Sequence, residues 1–317
     1  MDARTLGSSG IAVGAIGLGC MPMNWAYTGD ATERESVAVI HRALDLGATL
    51  LDTSDVYGPF TNEELVGRAL EDRRGEAVVA TKVGLVVGPT GFYPLQNDAR
   101  PEHIRQAVDD SLRRLRTDVI DLYQLHRIDP SVPLEESWGA MAEAVTAGKV
   151  RALGMSEATV EEMQRARPIH PVATVQSELS LWFRDRLDDV VPWCAANGVA
   201  FIPFSPLGRG YLTGTITGAV TDDRDFRSML PRYTQASIDA NRGIVEGIQT
   251  VAGRHGATPA QVAIAWVLAK VTHIVPIPGT KRLRYLVENV AAAGLRLSAE
   301  DLADLDALPQ PAAPRYP

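Results

Sequence analysis

The sequence predicts a (β/α)8 barrel, and three observations lead there. Short apolar runs alternate with helix-like stretches eight times over about 280 residues. The runs are continuous rather than alternating, as in parallel strands buried on both faces. No linker or break in composition divides the 317 residues, so a single domain over residues 1–317 is expected. A doubly wound open sheet is the nearest alternative and would usually need fewer strands.

Thr5 to Val13 holds Gly7-Ser8-Ser9-Gly10, a turn signal between two short runs, and reads as a hairpin ahead of the barrel. The first barrel strand is expected at Ala15–Leu18. Helix Arg34–Leu46 then leads to strand Thr49–Leu51, helix Glu63–Leu70 to strand Ala77–Thr81, and helix Pro101–Leu115 to strand Val119–Leu125. Helix Leu134–Ala147 leads to strand Val150–Met155. A short helix from Thr159 leads to strand Val172–Gln176, and helix Asp185–Asn197 to strand Val199–Pro203. Helices Ile238–His255 and Pro259–Lys270 precede strand Ile274–Pro276, and helix Lys281–Ala292 ends the alternation. Ile104, Val108, Leu112 and Leu115 form one apolar helical stripe. Pro101 and Pro259 suit first turns, and Gly47, Gly148 and Gly198 sit where helix C-caps belong. The long segments Val83–Ala99 and Pro206–Gln235, after strands 3 and 7, read as binding loops. Residues 309–317 are proline-rich and read as a loosely ordered tail.

Composition narrows the function. The net charge is -8 with no long basic stripe, which argues against nucleic-acid or anionic-membrane partners. Cys20 and Cys194 show neither metal-ligand spacing nor a disulfide framework, so no metal is expected. The start of the chain lacks an apolar signal core, and no stretch approaches the roughly 20 apolar residues that span a bilayer. A cytoplasmic protein is expected. Only four of the 31 basic residues are lysine, so a lysine kept at the end of an apolar strand stands out.

That lysine is Lys82, and its neighbours make chemistry. If the strands are parallel, Asp52, Tyr57, Lys82 and His126 all emerge at one carboxyl edge, where barrel enzymes keep their catalytic groups. Tyrosine ionises near pH 10, and a nearby ammonium favours the phenolate and lowers that value. Tyr57 is therefore the candidate general acid, Lys82 the tuning cation, and Asp52 the partner that holds Lys82. His126 either orients a carbonyl oxygen or assists proton transfer, according to its protonation state. Gly14-Ala15-Ile16-Gly17-Leu18-Gly19 has closely spaced glycines, which suggest a dinucleotide fingerprint, but it lacks the following helix and acidic residue, so it is not one. No Gly-x-Ser-x-Gly elbow and no zinc-type signature occurs.

Leu51-Asp52-Thr53-Ser54-Asp55-Val56-Tyr57-Gly58, Ala80-Thr81-Lys82-Val83-Gly84 and Leu122-Tyr123-Gln124-Leu125-His126 together resemble the aldo-keto reductase family, and the resemblance runs from the hairpin to Asn289. It implies a (β/α)8 barrel that uses NADPH to reduce aldehydes and ketones to alcohols by hydride transfer. It implies that Tyr57 is the acid, that Lys82 and Asp52 tune it, and that His126 orients the substrate. By the same resemblance Ser156 and Gln176 hold the nicotinamide carboxamide and Phe204 lies against its face. Ser205, Leu207, Gly208 and Gly210 match the loop along the pyrophosphate. Glu157 stands where many members have Asn, and Tyr285 where some have Arg.

The junction Pro278-Gly279-Thr280-Lys281-Arg282 speaks without the family. It leads into a helix whose free N–H groups favour an anion, and Lys281 and Arg282 add charge suited to a 2′-phosphate. Lys281, Arg282 or Arg284 would carry that contact. Glu288 and Asn289, about two turns on, match the family's adenine contacts. Trp25, Trp182, Phe183 and Phe226 are candidates for the walls of an apolar substrate pocket. The alternative to a reductase is an NADPH-binding regulatory subunit on the same barrel, a use that potassium-channel β subunits make of this fold.

Overall fold

Seven parallel strands form one sheet that curls almost into a closed barrel. In the computed structural model, which describes residues 1–29, 31–88 and 95–316, an antiparallel hairpin comes first, β1 (Ala3–Thr5) with β2 (Ala12–Gly14). Barrel strands β3 (Leu18–Gly19), β4 (Leu50–Asp52) and β5 (Val78–Val83) follow. A second hairpin intervenes, β6 (Leu85–Val87) with β7 (Leu95–Asn97). The sheet resumes with β8 (Ile120–Leu125), β9 (Val150–Ser156), β10 (Thr174–Glu178) and β11 (Ala200–Phe204), in the order 3-4-5-8-9-10-11.

Residues 274–279 stand in the eighth position. Val275 and Ile277 donate to the carbonyls of Phe201 and Pro203 at 2.9 and 3.1 Å, and Pro276 and Pro278 accept from Gly17 and Gly19 at 2.9 and 3.4 Å. The prolines have no N–H to return, so the seam toward β3 lacks the return bonds at Pro276 and Pro278. The regular strand expected at Ile274–Pro276 is accordingly reduced to isolated bridges, Phe201 with Ile274 and Gly19 with Gly279.

Side-chain alternation explains where the core and the polar groups go. Leu51, Val79, Tyr123, Leu153, Val175 and Phe201 point outward into the layer shared with the helices. Leu50, Ala80, Leu122, Ala152 and Ile202 point inward, where Leu6, Ile11 and Val13 of the first hairpin pack on them and plug the amino-terminal end. Two residues further along the same inward rows come Asp52, Lys82 and Gln124, with Gln176 beside them on β10. The interior thus changes from apolar to polar toward the carboxyl ends of the strands.

Several connections differ from expectation for local reasons. The Val83–Ala99 segment carries the hairpin β6–β7; its residues 89–94 lie outside the described residues. Helix Asp185–Asn197 is regular only over Val190–Asn197, where the Asp189 carboxylate accepts the Val190 N–H. Helix Ile238–His255 starts earlier and breaks at Asn241, giving Gln235–Ala240 and Arg242–His255. Helix Ala299–Asp306 went unread, although Ser298 and Asp301 form a capping box. In the tail, Ala312 donates to Asn241 at 2.7 Å and Arg232 donates to the Ala313 carbonyl at 3.2 Å; residue 317 lies outside the described residues. Among the described residues no helix is long and apolar enough to cross a membrane.

Two glycines test this packing in opposite directions. A methyl on Gly67 would sit 2.4 Å from the Arg114 carbonyl, where helix Thr61–Ala69 crosses helix Pro101–Leu115. Gly139, inside helix Leu134–Thr146, has nothing within 4 Å. Urea denaturation should show Gly67→Ala less stable by about 1–3 kcal/mol and Gly139→Ala more stable by about 0.5–1 kcal/mol.

Candidate active site

The turn after β4 is built to fold back over the end of β5. Thr53 donates to the Ala80 carbonyl at 2.8 Å, Asp55 to the Lys82 carbonyl at 3.4 Å, and Tyr57 to the Ser54 carbonyl at 3.2 Å. Gly58 lets the chain leave the turn: its φ is +80°, and a Cβ there would meet Thr61 Oγ1 at 2.2 Å. His126 keeps the parallel ladder by donating its N–H to Val83 at 2.8 Å. These bonds put Asp52, Tyr57, Lys82 and His126 within one cluster, as the sequence anticipated.

Lys82 is its centre and is wholly buried. Nζ lies 2.5 Å from Asp52 Oδ1, donates to the Thr53 carbonyl at 2.8 Å, and lies 3.4 Å from the Tyr57 hydroxyl. Asp52 Oδ2 accepts from Gln176 Nε2 at 2.7 Å and from Gln124 Nε2 at 3.4 Å. The carboxylate is therefore hydrogen-bonded from three strands. The Tyr57 ring stands edge-on to His126 at 5.8 Å and 5.4 Å from the ring of Trp25.

The electrostatics differ from the expectation in one respect. Burial would discharge Lys82, but Asp52 and then Tyr57 outweigh it, and the net effect raises the ammonium above its ordinary value. For Tyr57, burial comes first and pushes the phenol up; Lys82 pulls it down, and Asp52 partly cancels that pull. The net direction is upward, not downward as expected. At 3.4 Å the ammonium favours the phenolate by roughly 5 kcal/mol at an effective dielectric of 20, part of which Asp52 cancels, whereas desolvating an ion costs several kcal/mol. Tyr57 thus stays a phenol at neutral pH. Burial, Arg127 and Lys82 hold His126 well below the ordinary imidazole range, so its ring is neutral.

The other anticipated residues lie mostly at and beyond the ends of β9, β10, β11 and segment 274–279. Ser156, at the end of β9, accepts from Arg127 Nη1 at 3.0 Å. Gln176 reaches the cluster itself through Asp52. Phe204 is partly buried at the end of β11, with the Arg315 guanidinium 5.6 Å from its ring. Ser205, Gly208 and Gly210 take positive φ, and Leu207 packs on the core beneath them. Gly279 lies against Pro22, and Thr280 Oγ1 caps the Arg282 N–H at 3.1 Å. Lys281 Nζ donates to the Thr28 carbonyl at 3.0 Å, which ties it to the loop after β3. Arg282 lies 3.6 Å from Glu35. Glu288 accepts from the Thr258 hydroxyl at 2.7 Å, and Asn289 is buried. Among the expected pocket walls, Trp25 borders Tyr57, and Phe226 hangs from the Ala26 carbonyl with Arg209 against its ring. Phe183 is partly buried and lies under Arg315. Trp182 instead is a packing residue, stacked on Tyr211 at 4.2 Å and beneath Gly208.

Gln124, Glu178 and Arg315 join the residues already named. Gln124 carries a signal in the sequence: it is a polar residue two before His126 in an apolar strand, hence on the same inward row. Glu157 takes a φ of +57°, accepts from Glu178 N through Oε1 at 3.1 Å, and pairs with Arg315 at 2.7 Å. Arg315 also lies 3.0 Å from Glu178, which Arg209 meets at 3.2 Å. No short-range signal links the tail to residues 157 and 178.

Known proteins resemble this chain along nearly its whole length. The profile of the aldo/keto reductase family matches residues 15–310. A "Probable aldo-keto reductase 1" from Glycine max is 40% identical over 304 residues, covering 95% of this chain and 86% of its own. The structure of a glycerol dehydrogenase from Gluconobacter oxydans superposes with a TM-score of 0.88 at 30% identity, covering 100% of this chain and 99% of its own. An aldo/keto reductase from Klebsiella pneumoniae, solved with NADP and acetate, gives 0.75 at 29% identity, covering 100% and 99%.

Removing Lys82 leaves Asp52 buried without its counter-ion. Lys82→Met should lower stability by roughly 3–5 kcal/mol in urea denaturation.

Proposed function

The chain belongs to the aldo/keto reductase family, and we propose that it reduces an aldehyde or ketone to an alcohol with NADPH, using Tyr57 as the proton donor. The observation that carries this reading is the short path Asp52–Lys82–Tyr57 beside a neutral His126. Tyr57 is protonated and sits next to an ammonium that stabilises the phenolate it becomes. Asp52, pinned by Gln176 and Gln124, keeps that ammonium in place. His126 and Tyr57 offer two hydrogen-bond donors to one carbonyl oxygen, which orients it and draws charge onto it. The proton then passes from Tyr57 Oη to that oxygen, and the phenolate is reprotonated from solvent.

The residues present fit a nicotinamide dinucleotide. Thr280, Arg282 and Arg284 at the start of helix Leu283–Ala291 form a donor set for a phosphate. Arg284 also lies against the ring of the exposed Tyr285 at 5.0 Å. Phe204 offers a partly exposed ring at the strand end, and the positive-φ loop 205–210 leads backbone N–H groups away from it. We assign Ser156 and Gln176 to the carboxamide, Leu207 and that loop to the pyrophosphate, Lys281, Arg282 and Gly279 to the 2′-phosphate end, and Glu288 and Asn289 to the adenine. When bound, the cofactor supplies the hydride that the carbonyl carbon receives. Trp25 and Phe226 border the substrate. The protein acts as a single barrel domain, and its two free, buried cysteines suit a reducing compartment such as the cytoplasm.

Incubation with NADPH and a panel of aldehydes and ketones should consume reduced nicotinamide, followed by absorbance. Tyr57→Phe should lower kcat by roughly 10²–10⁴-fold while NADPH still quenches tryptophan fluorescence. No turnover on any carbonyl, or full activity in Tyr57→Phe, would overturn the reading. Arg282→Ala should weaken NADPH binding about tenfold and leave NADH binding nearly unchanged, the loss expected for one charge-assisted hydrogen bond to the 2′-phosphate.

A further inference from the structure

We propose that Ser54 and Asp55 form a hydrogen-bonded relay that decides which nitrogen of His126 carries its proton, and thereby whether that ring can donate to a carbonyl oxygen. The inference rests on the substrate-orienting assignment of His126 above.

Ser54 Oγ lies 3.1 Å from His126 Nδ1 and 3.1 Å from Asp55 Oδ1. Its other neighbour, the Lys82 carbonyl, is at 3.5 Å. All three side chains are buried. His126 Nε2, on the far side of the ring, has no hydrogen-bond partner among the described residues. One hydroxyl has one proton, so Ser54 donates either to the imidazole or to the carboxyl group. A neutral imidazole likewise has one N–H. Two arrangements result. When Asp55 is a carboxylic acid, it donates to Ser54, Ser54 donates to Nδ1, and the ring proton sits on Nε2, ready for a carbonyl oxygen. When Asp55 is a carboxylate, Ser54 donates to it and accepts from Nδ1–H. Nε2 then presents a lone pair that repels the carbonyl.

The change between the two arrangements balances. Each proton moves one place along the chain, from Asp55 to Ser54 and from Ser54 to Nδ1. The proton released to solvent is the one on Nε2. A buried carboxyl group can therefore titrate without being exposed.

The surroundings of Asp55 favour the acid form at neutral pH. Burial comes first, and Glu63 from helix Thr61–Ala69 adds to it; the group is pushed up to about 8. Ser54, the Val56 N–H and Arg114 from helix Pro101–Leu115 pull the other way. Arg114 is committed to Glu63 at 2.6 Å, and Glu63 also accepts from Thr81 at 2.6 Å. From β8, Tyr123 faces the same space, and its hydroxyl has no hydrogen-bond partner among the described residues. On the His126 side the facing groups are Arg127, Lys82 and Tyr57; burial first, and then the two cations, keep the ring neutral, which a tautomer switch requires. A folded-state value raised above the ordinary carboxylate range means that the acid form, and with it the donor Nε2–H, is lost as pH rises through about 8.

The test is nitrogen-15 histidine NMR on the full-length protein, with His126 identified among six histidines by its loss in His126→Ala. The wild type should change from Nε2–H to Nδ1–H between about pH 6.5 and about 9.5, and kcat/KM for carbonyl reduction should fall in step. Ser54→Ala cuts the chain and Asp55→Asn removes the titrating group; His126 should then keep one tautomer pattern across the range. Ser54→Ala should also lose about tenfold in kcat/KM at neutral pH, the equivalent of one hydrogen bond. A wild-type His126 that keeps one tautomer throughout, or a Ser54→Ala protein that switches at the wild-type pH, overturns the relay. The two readings separate cleanly. A switch without any carbonyl reduction upholds the relay and refutes the activity; reduction without a switch does the reverse.

Discussion

A fully buried ammonium is the constraint on which this barrel's upper end depends. Lys82 extends from the inward face of β5 into space that water does not reach, and a lone charge there would cost several kcal/mol. Everything around it answers that cost. The β4 end supplies Asp52 and the Thr53 carbonyl, while β8 and β10 supply Gln124 and Gln176 to hold the carboxylate. The register of four strands is thereby tied to one charge. A slip of a single residue on any of them would turn the polar group outward into the helical layer and leave the ion without a partner. Geometry that looks arranged for catalysis is, at this level, what burying a lysine demands.

The barrel itself was legible because its signals are local and repeated. Continuous apolar runs such as 119–125, helix faces such as Ile104–Val108–Leu112–Leu115, and capping glycines each report on a few neighbouring residues. Their eightfold recurrence left little choice of fold. Boundaries moved by a residue or two where the ladder extends past the apolar run, as in β5, which runs on through Thr81 to Val83. The cluster of Asp52, Tyr57, Lys82 and His126 was legible for a related reason: strand ends in a parallel barrel share one face, so three separate motifs meet there.

What was not legible depends on pairing across the chain. Nothing near residue 315 announces that its guanidinium meets Glu157 and Glu178. The break at Asn241 comes with contacts to distant backbone, the Ala312 N–H and carbonyl at 2.7 and 3.3 Å. The direction of the Tyr57 shift is not legible because a sequence lists the charges near a group but not how much water it keeps. Trp182 was placed at a pocket wall from its position after a strand; the rings of Tyr211 and Tyr233 claim it for the core.

The proline-bearing segment 274–279 closes the barrel against β3 with half the usual ladder. It joins parts of the chain far apart in sequence, so the loop-closure entropy for that seam is large while two prolines thin its hydrogen bonding. In mechanical terms the barrel is a hoop with one weak stave. Local opening should begin there, not at the Lys82 cluster on the next strands. The same stave carries Gly279 and Thr280 into the positively charged turn. That turn can therefore loosen and re-form without disturbing the ion pair of Lys82 and Asp52.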